Sequence, residues 1–142
     1  MKSVKVILVD RSKDYVTEVN ESSTDEEIKD YFVGKGFIFL EQKNEVLIRC
    51  TKVVILNEKQ KLVEKYHNLF KEMRNEMDFD KKRFLNQKLQ SFCGTNKIII
   101  LPMKNSDNWV IYVDSLPVAE FISEKLPNGD LKFYSFIEYY GK

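Results

Sequence analysis

Apolar and polar positions alternate at both ends of the chain and switch to a helical period in the middle. Val4, Val6 and Leu8 recur at every second position, which predicts a β-hairpin over Lys2–Val9 and Tyr15–Val19. The connector Asp10-Arg11-Ser12-Lys13-Asp14 is polar and turn-like. Thr24, followed three residues on by Glu27, predicts a helix that opens with a capping box. Ile28, Tyr31 and Phe32 give that helix one apolar face, and Gly34 is placed to end it in the left-handed conformation. Phe37–Leu40 and Val46–Leu56 predict a second hairpin turning at Glu41–Glu45. The alternation slips near Arg49–Lys52, which predicts a bulge.

From Asn57 to Cys93 the period is helical. Leu62, Tyr66, Leu69, Phe70, Met73 and Met77 form an apolar stripe, which stumbles at Asp78-Phe79-Asp80 and resumes at Phe84, Leu85, Leu89 and Phe92. A kink or break is expected there, with Asp80 capping the second piece and Gly94 closing the segment. Lys97–Leu101 reads as a continuous apolar, buried strand. Trp109–Val113, Val118–Glu124 and Leu131–Tyr139 follow as a meander, with turns at Asp114–Pro117 and at Pro127-Asn128-Gly129-Asp130. Alternation places Phe133 and Ile137 on one face of the last strand and Tyr134, Phe136 and Tyr140 on the other. Two apolar faces predict a central buried strand; the alternative is an interaction surface, such as a homodimer contact.

The expected class is therefore α+β: an N-terminal ββαββ segment, a central long or kinked helical segment and a C-terminal antiparallel β-meander. One compact domain over residues 1–142 is expected, with subdivisions at 1–56, 57–94 and 95–142. At 142 residues with 43% hydrophobic content, the chain can bury a core without disulfides or metal.

Charge adds a second division. The net charge is +1, yet residues 10–45 hold ten acids against five bases, and residues 46–104 hold thirteen bases against six acids. This excludes a global field for nucleic acid or membrane but allows a local basic face. No apolar stretch approaches the length of a membrane span, and the run Val6–Val9 is too short for a secretion signal. Cys50 and Cys93 are expected to be reduced, buried thiols of a cytoplasmic protein. Lysine outnumbers arginine 19 to 4 and Ala119 is the only alanine, a composition that points to an AT-rich gene of a low-GC bacterium or its phages.

Catalytic chemistry is thinly supplied. His67 is the only histidine, so a nucleophile–base pair could use only it, with Cys93 as partner. Asp78 and Asp80 do not share a helix face, and one histidine with two isolated cysteines forms no common zinc site. Gly34-Lys35-Gly36 follows a helix and lacks the rest of a phosphate loop. No catalytic residue, metal or cofactor is expected. The candidate binding residues are two charge clusters. Lys81, Lys82, Arg83 and Lys88 could track a phosphate backbone. Asp25, Glu26, Glu27 and Asp30 could meet a basic groove on a partner, although helix N-terminal electrostatics also accounts for them.

The segment Thr24–Lys35, preceded by a hairpin, resembles a type found in small accessory proteins of phages and prophages of low-GC bacteria. The likeness covers about a third of the chain and carries no catalytic residue to transfer. It implies a class of short accessory proteins, many of which bind and disable host machinery, anti-CRISPR proteins among them. With catalytic chemistry thinly supplied, the leading expectation is a non-enzymatic binding protein of this kind. The expected partner is then a bacterial host protein or ribonucleoprotein complex, bound stoichiometrically in the host cytoplasm. The alternatives are a nucleic-acid-binding accessory protein using the basic helical segment, and a small enzyme using Cys93 and His67.

Overall fold

The computed structural model describes residues 1–141 and is an α+β protein with two antiparallel four-stranded sheets. The chain divides into two compact units, Met1–Asn57 and Glu58–Lys142. The helical segment and the meander thus share one unit.

In the first unit, β1 (Lys2–Leu8), β2 (Tyr15–Val19), β3 (Gly36–Glu41) and β4 (Asn44–Ile55) form a sheet in the order β2-β1-β4-β3. Helix α1 (Asp25–Phe32) joins β2 to β3. The predicted capping box is present: the Glu27 amide donates to Thr24 Oγ1 at 3.2 Å, and the Thr24 amide donates to Glu27 Oε1 at 3.3 Å. Ile28 and Phe32, four residues apart, bury against Val4, Val6, Leu8, Ile48, Cys50 and Val53. Gly34 follows the helix at φ +87°. The predicted bulge is at Thr51: Ile7 pairs with Lys52 and Leu8 with Cys50, so Thr51 is the extra residue.

The turn of the second hairpin is tighter than the expected Glu41–Glu45. Glu41 pairs with Asn44, leaving Gln42 and Lys43 as a two-residue loop with φ of +48° and +69°. Two successive left-handed residues match the twist of a β-hairpin, but neither side chain is one that favours that conformation. Lys43→Gly is therefore expected to raise stability by about 0.5–1 kcal/mol, read as a higher denaturation midpoint.

In the second unit, α2 (Glu58–Asn75) and α3 (Phe79–Thr95) pack on each other, and β5 (Ile98–Pro102), β6 (Trp109–Val113), β7 (Leu116–Lys125) and β8 (Leu131–Glu138) form a sheet in chain order. Val63 and Tyr66 of α2 and Leu89 of α3 meet Ile98, Ile111, Val113, Ala119 and Phe121 in its core. The break between the helices is where the stripe stumbles, but the cap is Asp78 and not Asp80: the Lys81 amide donates to Asp78 Oδ1 at 3.0 Å. Gly94 lies inside α3; the helix ends at Asn96, followed by Lys97 at φ +55°.

Two strand readings are corrected. β5 is an edge strand and not a buried one, with Ile99 55% and Leu101 50% exposed. β8 is the opposite edge and not a central strand. Its alternation is broken by a bulge at Tyr134: Ile122 pairs with Ser135 and Ser123 with Phe133. Phe133 and Phe136 consequently share a face, both packing on Phe121, and do not lie on opposite faces as simple alternation predicts. The hairpin before β8 turns at Asn128-Gly129 as expected, with Gly129 at φ +91° and its amide donating to the Leu126 carbonyl at 2.9 Å.

Candidate functional site

The bulge in β8 builds a groove between that strand and α2. His67, Lys71 and Arg74 recur at intervals of four and three and so lie along one side of α2. Phe70, Phe121, Phe133 and Phe136 also line the groove, and Tyr134 and Ser135 form its β8 rim. It encloses about 340 Å³, within the range of ligand-binding clefts.

Its aromatic groups are locked together. Phe70 and Phe121 are 4.6 Å apart between ring centroids, and Phe121 meets Phe133 and Phe136 at 5.3 and 5.2 Å, edge to face. The His67 ring stacks on Phe136 at 3.9 Å with 17° between planes. Arg74 places its guanidinium 5.2 Å from the Phe133 ring and donates from Nη2 to the Phe133 carbonyl at 3.3 Å. Lys71 is exposed beside it. None of the described lining residues is acidic. The groove therefore combines an apolar floor with positive charge on one wall, where Arg74 is held and Lys71 is exposed, and an anion bearing an apolar group fits both features.

The charge clusters found in the sequence lie elsewhere. Lys81, Lys82, Arg83 and Lys88 are all exposed on α3. At about 100° per residue they do not share one face. Lys81 and Lys88 fall on one stripe with Phe84 between them, 65% exposed, while Lys82 and Arg83 project roughly 100° and 200° away from Lys81. Asp25, Glu26, Glu27 and Asp30 are exposed on α1, and Glu27 is engaged in the capping box. These acids fall in the first two turns, where they favour the positive end of the helix dipole.

His67 and Cys93 occupy different surroundings. His67 stacks at the α2–β8 groove, whereas Cys93 is half-buried on α3, in the core cluster that contains Tyr66. Burial pushes the Cys93 thiol up, opposite to the depressed value that makes a thiolate nucleophile. Cys50 is buried in the first unit, and its thiol is likewise raised by burial. Among the described residues, no helix is long and apolar enough to cross a membrane.

The groove was missed in the sequence because His67, Lys71 and Arg74 sit beside the apolar stripe and read as ordinary helix polarity. Their i, i+4, i+7 spacing was visible; the bulge that sets Phe133 and Phe136 opposite them was not. Comparison with family models, curated proteins and solved structures gives no match to this chain.

Proposed function

We propose that this chain is a non-enzymatic binding protein that seats an acidic segment of a larger protein in the α2–β8 groove. The observation that carries this reading is the groove's lining: a phenylalanine floor against a wall bearing Lys71 and Arg74, with no acidic group among the described lining residues. The floor favours a protein ligand over nucleic acid. Base stacking requires an open aromatic platform. Here the phenylalanines pack mostly edge to face, on one another. Such a floor receives one apolar side chain, and flanking carboxylates would then meet the cations. The biological role that accords with this reading is stoichiometric inhibition of a bacterial defence complex by a phage-encoded protein; Thr24–Lys35 resembles a type found in small accessory proteins of phages, many of which disable host machinery.

A second reading rests on α3. Lys81, Phe84 and Lys88 form an exposed stripe in which an aromatic ring lies between two cations, an arrangement suited to single-stranded nucleic acid.

One experiment separates the two. Fluorescence anisotropy is measured with short labelled peptides in which aspartate and glutamate flank a single leucine or phenylalanine, and with a labelled oligothymidylate. Acidic peptides are expected to bind, neutral analogues at least about tenfold more weakly, and Lys71→Glu/Arg74→Glu to abolish the preference. Equal binding of acidic and neutral peptides overturns the groove reading. Oligothymidylate binding that is lost in Lys81→Glu/Lys88→Glu, with no peptide binding, replaces it with the second.

A further inference from the structure

Four strands lie at sheet edges, and of these β3 combines an apolar exposed face with regular backbone; β2 pairs regularly with β1 but sets Glu18 beside Val16 on its exposed face. At β8 the edge is interrupted by the bulge at Tyr134, and Arg74 occupies the Phe133 carbonyl. β5 ends on Pro102, which has no amide to offer. Bulges, prolines and capped carbonyls of this kind prevent sheets from pairing edge to edge. β3 has a regular register with β4 over its whole length, from Gly36–Arg49 to Glu41–Asn44. Its outward face carries Ile38 and Leu40, 66% and 75% exposed, beside Leu47 of β4 at 69%.

We propose that β3 pairs antiparallel with β3 of a second copy of this chain, centred on Ile38. The hairpin geometry dictates which backbone groups are available. Glu41 and Asn44 close a two-residue loop, so they exchange hydrogen bonds, and the backbone groups of Phe37, Phe39 and Glu41 face β4. The Lys35 carbonyl also faces β4, accepting from the Cys50 amide at 2.8 Å. Gly36, Ile38 and Leu40 therefore direct their amides and carbonyls to the open edge.

Antiparallel pairing centred on Ile38 matches all three of these residues: Ile38 with Ile38 of the second copy, and Gly36 with its Leu40, in both directions. Shifting the register by one hydrogen-bonding step in either direction loses one of these pairs. The same register sets Lys35, whose ammonium lies 3.7 Å over the Tyr31 ring, opposite the second copy's Glu41 at each end. Glu41 also pairs with Lys13 of its own copy at 3.4 Å. The arrangement that pairs most backbone thus also pairs opposite charges. Gly36 suits this contact further. Leu47 folds over it so closely that an added Cβ would come within 2.6 Å of Leu47 Cδ1. The second copy's Leu40 thus faces a position without a side chain, next to Leu47.

A six-residue strand buries less than a standard interface, so the dimer is expected to form in the micromolar range, about 10–100 μM. Sedimentation velocity of the full chain, from about 10 μM to 1 mM, reads it directly. Wild type is expected to pass from monomer to dimer across that range. Lys35→Glu alone and Glu41→Lys alone should each dimerise at least about tenfold more weakly, and an equimolar mixture of the two should regain the dimer, because both end contacts are again of opposite sign. Ile38→Pro removes the central outward amide and the exposed Ile38 side chain but no β3–β4 hydrogen bond, and should abolish dimerisation while circular dichroism stays unchanged. A wild type that stays monomeric throughout, a dimer that survives Ile38→Pro, or a mixture no stronger than its components overturns the proposal.

Discussion

Phe121→Ala is expected to cost about 3–5 kcal/mol of folding stability, among the largest losses any single truncation in this chain can produce. Phe121 is 4% exposed in the middle of β7 and is the ring on which the aromatic cluster of the second unit converges. It contacts Tyr66 and Phe70 on α2 and Phe133 and Phe136 on β8. Truncation removes the transfer free energy of the ring and leaves a cavity that these partners, held by a helix and a sheet, can only partly close. The melting temperature should fall by about 10–20 °C in a thermal scan. Phe79→Ala is the control: that ring is 78% exposed at the start of α3, and its removal should change stability by no more than about 0.5 kcal/mol. Equal small effects for both would mean that the cluster around Phe121 does not hold the second unit together.

Alkaline pH is expected to unfold the second unit. Tyr66 and Tyr140 have hydroxyls whose pKa lies well above the ordinary value of 10.0. For Tyr66 the cause is burial followed by the nearby Cys93. For Tyr140 it is burial, then the charge of Glu64 and the hydrogen bond that the Tyr140 hydroxyl donates to that carboxylate. The folded protein keeps both protons where the unfolded chain releases them near pH 10, so this contribution to stability is complete below pH 10 and is lost as pH rises beyond it. Each protected tyrosine withdraws about 1.4 kcal/mol per pH unit above that point. Two such groups amount to roughly 5 kcal/mol by pH 12, a substantial share of a typical folding free energy. In a titration followed together by tyrosinate absorbance and circular dichroism, two of the seven tyrosines should ionise only as structure is lost. Ionisation of all seven below about pH 11 with the fold intact would contradict this account.

Much of the architecture could be read from the sequence because it depends on local periodicity. The alternation of Val4, Val6 and Leu8, the Thr24–Glu27 capping box and the slip at Arg49–Lys52 all correspond to features of the structure. Periodicity does not say where in a sheet a strand lies. Lys97–Leu101 reads as a buried strand and Leu131–Tyr139 as a central one, yet β5 and β8 are edges, because position in the order depends on long-range pairing. Nor does local reading find a left-handed turn built from unfavourable residues. Gln42 and Lys43 both have positive φ although neither favours it, and the strands that they connect impose the turn, whereas the turn expected at Asp114–Pro117 is present, with Asp114 and Ser115 as its left-handed residues.

The site was harder to read than the fold for the same reason. Clusters of like charge in the sequence drew attention to Lys81–Lys88 and Asp25–Asp30, but neighbours in sequence do not share a helix face, and the basic cluster disperses around α3. The groove draws its cations from α2 and its floor from three elements, and a one-residue bulge at Tyr134 aligns them. That bulge reverses the facing of every residue on one side of it relative to the other, and nothing in the alternation of apolar residues marks its position.

The most direct test of the groove as a binding site is an amide and aromatic NMR titration with an acidic peptide carrying one phenylalanine anchor. Saturable shifts are expected at His67, Lys71, Arg74 and Phe136, with the rest of the second unit little changed. Shifts confined to α1 or α3, or none at a peptide excess of about tenfold over a micromolar Kd, would show that an acidic partner does not sit there.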